Sequence, residues 1–183
     1  MSRMQEESGK MENEVKKRRV LRGWIESIIE AAIIVVLMFC FCWPVRIGGA
    51  SMEASLLSGD RVFISRAMVV LHKVERGDIV VCRLEDAGKK QDIIKRVIGI
   101  PGDEVAIADG IVYVNGAVAE EAYLHGVVTD GMISVTLAEG EYFVMGDNRG
   151  VSVDSRVLGP VRAGDLIGKV FCRFYPFSQI KSY

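Results

Sequence analysis

The chain has 183 residues, half of them apolar and 26% charged, with a formal charge of −1. That length holds one ordinary domain and an appendage rather than two full domains, and near-neutrality excludes a nucleic-acid binder working through a global basic field. Four cysteines, with no CxxC and no Cys/His cluster, exclude a disulfide scaffold and a structural zinc site.

Charge is segregated along the chain. Residues 1–23 carry seven basic side chains (Arg3, Lys10, Lys16, Lys17, Arg18, Arg19, Arg22) against four acids (Glu6, Glu7, Glu12, Glu14), a net of +3 that leaves −4 on the other 160. The run that follows, IESIIEAAIIVVLMFCFCWPV, has no charge over 31–45. As a helix, 24–43 would be about 30 Å long, the thickness of the hydrocarbon core. Trp24 and Trp43 stand where interfacial aromatics belong, and the basic cluster 16–22 places the N-terminus in the cytosol. Glu26 and Glu30, however, fall within the first turns. Three readings fit: a retained transmembrane anchor, a cleaved secretory signal ending at Gly48-Gly49-Ala50, and a buried amphipathic helix. The first divides the chain into a cytosolic tail (1–23), an anchor (24–44) and an extracytoplasmic domain (45–183).

Beyond Pro44, short β-branched runs are punctuated by Gly-Asp pairs. Alternation at 105–107 and 111–114, with Asn115-Gly116 as a type I′ turn, predicts hairpins. Residues 67–72 read equally as a short helix or a loop. The predicted fold is mainly β, a domain of coiled antiparallel sheets or a barrel-like sheet, preceded by one transmembrane helix.

The only histidines, His72 and His125, stand in contexts that suit surface residues, so neither a Ser-His-Asp triad nor a histidine metal site is expected. Ser51, in Gly48-Gly49-Ala50-Ser51-Met52, follows small residues that leave room for another chain. Fully extended, it lies within about 26 Å of the anchor. Alone it reads as a nucleophile or as a linker serine. In Asp92-Ile93-Ile94-Lys95-Arg96-Val97-Ile98, alternation puts Lys95 between Ile93 and Val97 on one face. Burial there would lower its pKa and make it a base, whereas an edge position would leave it charged. The block 146–156 is dense in short hydrogen-bonding groups, in which Asp154 and Arg156 share a face and suit a charge-assisted pair, while Ser152 and Ser155 are potential donors to an amine.

Together, SMEASL, GDRV, KRVIGIPGDEV and GDNRGVSVDSRVLGPV, in this order behind an apolar span, resemble the type I signal peptidases. These are membrane-bound serine proteases with a Ser-Lys dyad, and the likeness is to the compact Gram-positive form. It runs from about 24 to 177, over 80% of the chain. It implies Ser51 as nucleophile, Lys95 as general base, Ser152 orienting the amine, Asp154 and Arg156 as a supporting pair, and Asp147 and Asn148 as residues that shape the site. It also implies a β domain, removal of signal peptides from secretory preproteins after Ala-x-Ala, contact with a lipid bilayer and the export machinery, and no metal or organic cofactor. Small P1 and P3 side chains would enter shallow pockets lined by Ile47, Met52, Leu56 and Ile94. The chain departs from the family pattern at Gly49, where some members carry a serine that donates to the oxyanion. It departs again at Ala54-Ser55, in place of Pro-Thr, and at Gly150-Val151, in place of polar residues. The self-cleaving repressors of the SOS response and an inactive membrane-anchored β module also fit parts of this pattern.

Overall fold

The structure, a computed structural model, describes the backbone of residues 2–86, 88–124 and 126–183, and their side chains except those of 2–15, 40, 85, 86 and 89. The chain divides into two compact units, 1–39 and 40–183.

The first unit lies within a single helix, α1 (Ser2–Phe41). It is longer than the expected anchor because nothing between the basic tail and the apolar run breaks a helix, and Gly23 is tolerated. Arg22 donates to Glu26 one turn on, at 3.0 Å. Among the described residues no helix is long and apolar enough to cross a membrane. Arg22, Glu26 and Glu30 interrupt the stretch, and the residues after 41 leave the helix. Trp43, expected at the end of the anchor, opens the first strand instead.

The second unit contains the strands. In chain order these are β1 (Trp43–Arg46), β2 (Arg61–Ser65), helix α2 (Arg66–Val70), β3 (Ile79–Asp86), β4 (Lys89–Gly99), β5 (Glu104–Ala108), β6 (Ile111–Val114), β7 (Ala117–Val118), β8 (Ile133–Thr136) and β9 (Glu141–Met145). Then come helix α3 (Ser155–Leu158), β10 (Val161–Arg162), β11 (Leu166–Tyr175) and β12 (Lys181–Ser182). The ambiguous segment at 67–72 is thus helical up to Val70, started by Ser65, whose Oγ accepts from Met68 N.

All pairings are antiparallel, as the alternation predicts. A large sheet runs β1-β2-β11-β3-β4-β9-β10, with β12 also on β11, and a small one runs β7-β6-β5-β8. Two-residue turns build the small sheet: Asn115-Gly116, as expected, and Asp109-Gly110, which sequence reading passed over. All four residues have positive φ (53°, 76°, 52° and 80°), as a type I′ turn requires. The barrel-like expectation needs correction. Among the described residues the large sheet is open, since its end strands β1 and β10, four and two residues long, are not paired with each other.

Three apolar clusters support the sheets. One gathers Ile47, Met52, Leu56, Val62, Ile64, Ile79, Val81, Ile94 and Val170. A second, around Val80, Cys82, Val97, Tyr142 and Val144, includes Ile93 at its margin. The third joins the small sheet to β9 through Val105, Val112, Phe143 and Met145. Ile93 and Val97 therefore share a face and Ile94 takes the other, as period-two alternation demands.

Among the described residues, two strand edges lie near one another without a second partner strand. β4 pairs with β3 from Lys89 to Arg96 but with β9 only from Arg96 onward, and β1 pairs with β2 alone. Between them lies a cleft of about 290 Å³ lined by Val45, Ile47, Gly48, Ser51, Gln91 and Ile93–Lys95 among others.

Candidate active site

Ser51 opens a tight turn just beyond β1. Glu53 N donates to Ala50 O at 3.2 Å, while Ser55 N and Leu56 N donate to Met52 O at 2.8 and 2.7 Å. Met52 and Leu56 are fully buried beneath the turn, which fixes its orientation. Gly49, with φ of 86°, supplies the left-handed residue that brings the chain into it.

Lys95 comes from β4, opposite Val80 on β3. It is only 3% exposed, and its Nζ lies 2.8 Å from Ser51 Oγ in a hydrogen bond. Among the described residues it makes no ion pair. Burial pushes its ammonium below the ordinary lysine range, outweighing the opposing charge of Asp154. The thiol of Cys82, on the neighbouring strand, is pushed up to about 12 by burial and is inert. Cys82 and Cys172 are both free.

The block 146–156 packs against the turn. Asn148 N donates to Ser51 O at 2.9 Å, and Asn148 Nδ2 donates to Ala50 O at 3.1 Å. Gly146 is required there: a Cβ would sit 2.6 Å from Ser51 O and 2.3 Å from Ser152 Oγ. Asp154 is fully buried and accepts from Gly146 N, from Arg156 N and from Arg156 Nε and Nη2. Burial alone would raise Asp154, but Arg156 and the Gly146 N–H outweigh it and hold the carboxyl below the usual range. The expected pair of Asp154 and Arg156 is thus present as a two-pronged contact. Ser152 lies close enough to Asp154 to favour its charge, yet without the geometry of a hydrogen bond, so its buried Oγ has no partner among the described residues. Ser155 is directed elsewhere and accepts from Val144 N at 3.0 Å.

Asp147 is held by a residue that sequence reading left without a role. Arg96 donates from Nε and Nη2 to its two carboxylate oxygens at 2.8 and 2.7 Å, and from Nη2 to Ser55 Oγ at 2.9 Å. The guanidinium also donates to Gly77 O and lies 3.9 Å from the centre of the Tyr123 ring. Ser55, at a position where the chain departs from the family pattern, is thereby linked through Arg96 to Asp147. Arg149 was missed too, although it stands inside the GDNR motif. It is 2% exposed and binds Gly146 O, Glu121 and Thr129.

Of the four expected pocket residues, Ile47 and Ile94 line the cleft beside Ser51 and Lys95. Met52 and Leu56 belong to the same apolar cluster but are 1% and 0% exposed, and they do not line it. His72 is exposed and His125 lies outside the described residues, as do the side chains of Cys40 and of the tail up to residue 15.

Comparison with known proteins gives the family. The family model described as signal peptidase, peptidase S26, matches residues 21–175. The chain belongs to the S26 signal peptidases. Signal peptidase IB of Staphylococcus aureus is 36% identical over 90% of this chain and 94% of its own length. Signal peptidase I of Bacillus licheniformis is 35% identical over 93% of this chain and 97% of its own. A solved signal peptidase I from Enterococcus faecalis V583, 32% identical, matches 52% of this chain and 94% of its own at a TM-score of 0.46. The S26 chain is accordingly a signal peptidase, a serine peptidase that removes signal peptides, and its substrates are preproteins that bear them.

Proposed function

We propose that this signal peptidase works through a Ser51–Lys95 dyad and cleaves after small-x-small sequences. The observation that carries the reading is the 2.8 Å contact between Ser51 Oγ and a lysine that is 3% exposed. As a neutral amine, Lys95 accepts the Oγ proton while Oγ attacks the scissile carbonyl. The proton passes to the leaving amine, and the mature N-terminus departs. Water, deprotonated by the same Nζ, then attacks the acyl-enzyme and frees the signal peptide with Ser51 restored. The Ser51 N–H is the oxyanion donor at the nucleophile, and Gly49 offers no side chain as a second. Asp154 and Arg156 hold the block that packs against the turn of Ser51, and Asp147 and Asn148 brace that turn, while in this reading the unpartnered Ser152 hydroxyl is the group available to orient the amine.

The preprotein enters as an extended strand between the free edges of β1 and β4, satisfying their backbone groups. Ile47 and Ile94 narrow the cleft beside Ser51, so an alanine side chain fits where a larger one collides, and Met52 and Leu56 pack behind them without lining the cleft. A lipid bilayer is the second partner. Consecutive apolar side chains of α1, Ile33 through Phe39, are 49–60% exposed, and a helix apolar on every side calls for an apolar solvent. In this reading the basic residues 16–22 lie on the cytosolic side and the catalytic unit lies outside, where the export machinery delivers preproteins.

Purified full-length protein in detergent, given a peptide with an Ala-x-Ala site, tests the dyad. Cleavage after the second alanine is expected, abolished by Ser51→Ala and by Lys95→Met. Full turnover by Lys95→Met at pH 8 would refute the assignment of the base.

A further inference from the structure

Ser55 ends the turn that Ser51 begins, and groups from distant parts of the chain hold it. Arg96 binds its hydroxyl, as described. Its carbonyl oxygen accepts from the Tyr183 hydroxyl at 3.0 Å, and Arg173 Nη1 stands 3.5 Å from the same oxygen. Tyr183 is itself firmly placed. β12 pairs with β11 at Cys172 and Arg173, Tyr183 N donates to Phe171 O at 3.1 Å, and its ring packs against the cluster of Ile47, Met52 and Leu56. Burial keeps the phenol protonated, so it remains a donor. Arg173 is pinned in turn by Asp60 at 2.9 Å and by Gln179 O at 2.8 Å.

We propose that Tyr183 is a positioning residue for the peptidase reaction: its hydroxyl fixes the Ser55 carbonyl and thereby the direction in which the turn aims Ser51 Oγ at Lys95. This rests on the reading of Ser51 and Lys95 as nucleophile and base. At the far end of the turn Arg96 holds the Ser55 hydroxyl, and Ser55 N and Leu56 N both donate to Met52 O, while the Ser55 carbonyl is reached by Tyr183 at 3.0 Å and by Arg173 at a longer 3.5 Å. Packing against the ring sets the depth of the turn, whereas the directional bond to the carbonyl sets its twist. A small rotation about this turn changes a reacting distance without unfolding anything, which is the kind of misplacement that catalysis does not tolerate.

The test compares wild type, Ser51→Ala, Tyr183→Phe and Met132→Ala in the full chain with the small-x-small peptide, well below the melting temperature. Tyr183→Phe keeps the ring and removes only the hydroxyl. Its kcat is expected to fall about fivefold, the equivalent of one ordinary hydrogen bond, with KM unchanged, while a change at the exposed Met132 leaves kcat at the wild-type value. A purely structural role would lower the melting temperature and leave kcat per folded molecule intact. That outcome, with Ser51→Ala inactive, would overturn the positioning role alone. Full turnover by Ser51→Ala would overturn the dyad and the positioning role together.

Discussion

Replacing Asp154 by asparagine separates the structural and the electrostatic work of one carboxylate. The side chain is fully buried and accepts four hydrogen bonds, two at Oδ1 (Arg156 N and Nε) and two at Oδ2 (Gly146 N and Arg156 Nη2). Whichever oxygen becomes an amide nitrogen, it faces two donors. In Asp154→Asn, either orientation of the new amide therefore forfeits one bond to the backbone and one to the guanidinium. About 1–3 kcal/mol for the first and a similar amount for the charged second give a loss of about 2–6 kcal/mol, a range that includes the cost of breaking a buried pair. Urea unfolding measures it. The pH profile of kcat/KM reads the second effect. Asp154 is the largest influence opposing the depression of Lys95, acting to raise its pKa. Without that negative charge, and with Arg156 left uncompensated, the neutral amine is favoured further and the acidic limb moves to lower pH. Stability responds in its own window. A depressed carboxyl contributes above the ordinary carboxylate range and loses that contribution as pH falls through its folded value, so wild type loses stability in acid more steeply than the variant. An acidic limb that moved to higher pH in Asp154→Asn, or stood still, would refute this electrostatic account of Lys95.

Arg149→Met is expected to cost about 3 kcal/mol in denaturant unfolding, because Glu121 and Thr129 lose a buried cationic partner; a change below about 1 kcal/mol would show that the network is dispensable. Gly99→Ala places a Cβ 2.5 Å from Val105 Cγ2 and 2.8 Å from Leu137 Cδ1. Overpacking there, where the third cluster meets β4, should lower stability by about 1–3 kcal/mol without altering KM, as melting and steady-state kinetics together would establish.

The parts of the site that were legible in the sequence are those set by short-range rules. Strand alternation alone put Lys95 on a face with Ile93 and Val97, and a spacing of two made Asp154 and Arg156 partners. The motif resemblance added Ser51, which no local pattern distinguishes from a linker serine. What escaped depends on which strands become neighbours. Arg96 meets Asp147 across 51 residues because β4 lies beside β9, and Tyr183 meets Ser55 across 128 because β12 lies on β11. Period-two patterns specify faces but not neighbours. The open sheet was hidden for the same reason, since alternation reads alike in a closed barrel and in a sheet whose end strands are too short to join. The extent of α1 was not legible from charge either, because charge sets where a helix can sit and leaves its backbone unaffected.

Lys95 and Arg96 are adjacent on one strand, and their opposite treatment follows from their chemistry. Arg96 cannot be neutralised by burial, so it must be supplied with acceptors. It has both oxygens of Asp147, Ser55 Oγ and Gly77 O, and it also stacks on the Tyr123 ring. An ammonium at Lys95 would bring three N–H donors into an equally dry setting, where Ser51 Oγ is its hydrogen-bond partner among the described residues. A neutral amine suits that single hydroxyl better, because its lone pair accepts the Oγ proton and fewer donors go unmet. Exchanging the two side chains would defeat both arrangements: a guanidinium beside Ser51 keeps its proton, and a lysine facing Asp147 offers no fork to bind both carboxylate oxygens. The strand thus holds a permanently charged residue that braces the turn and, one position earlier, a residue whose charge burial disfavours.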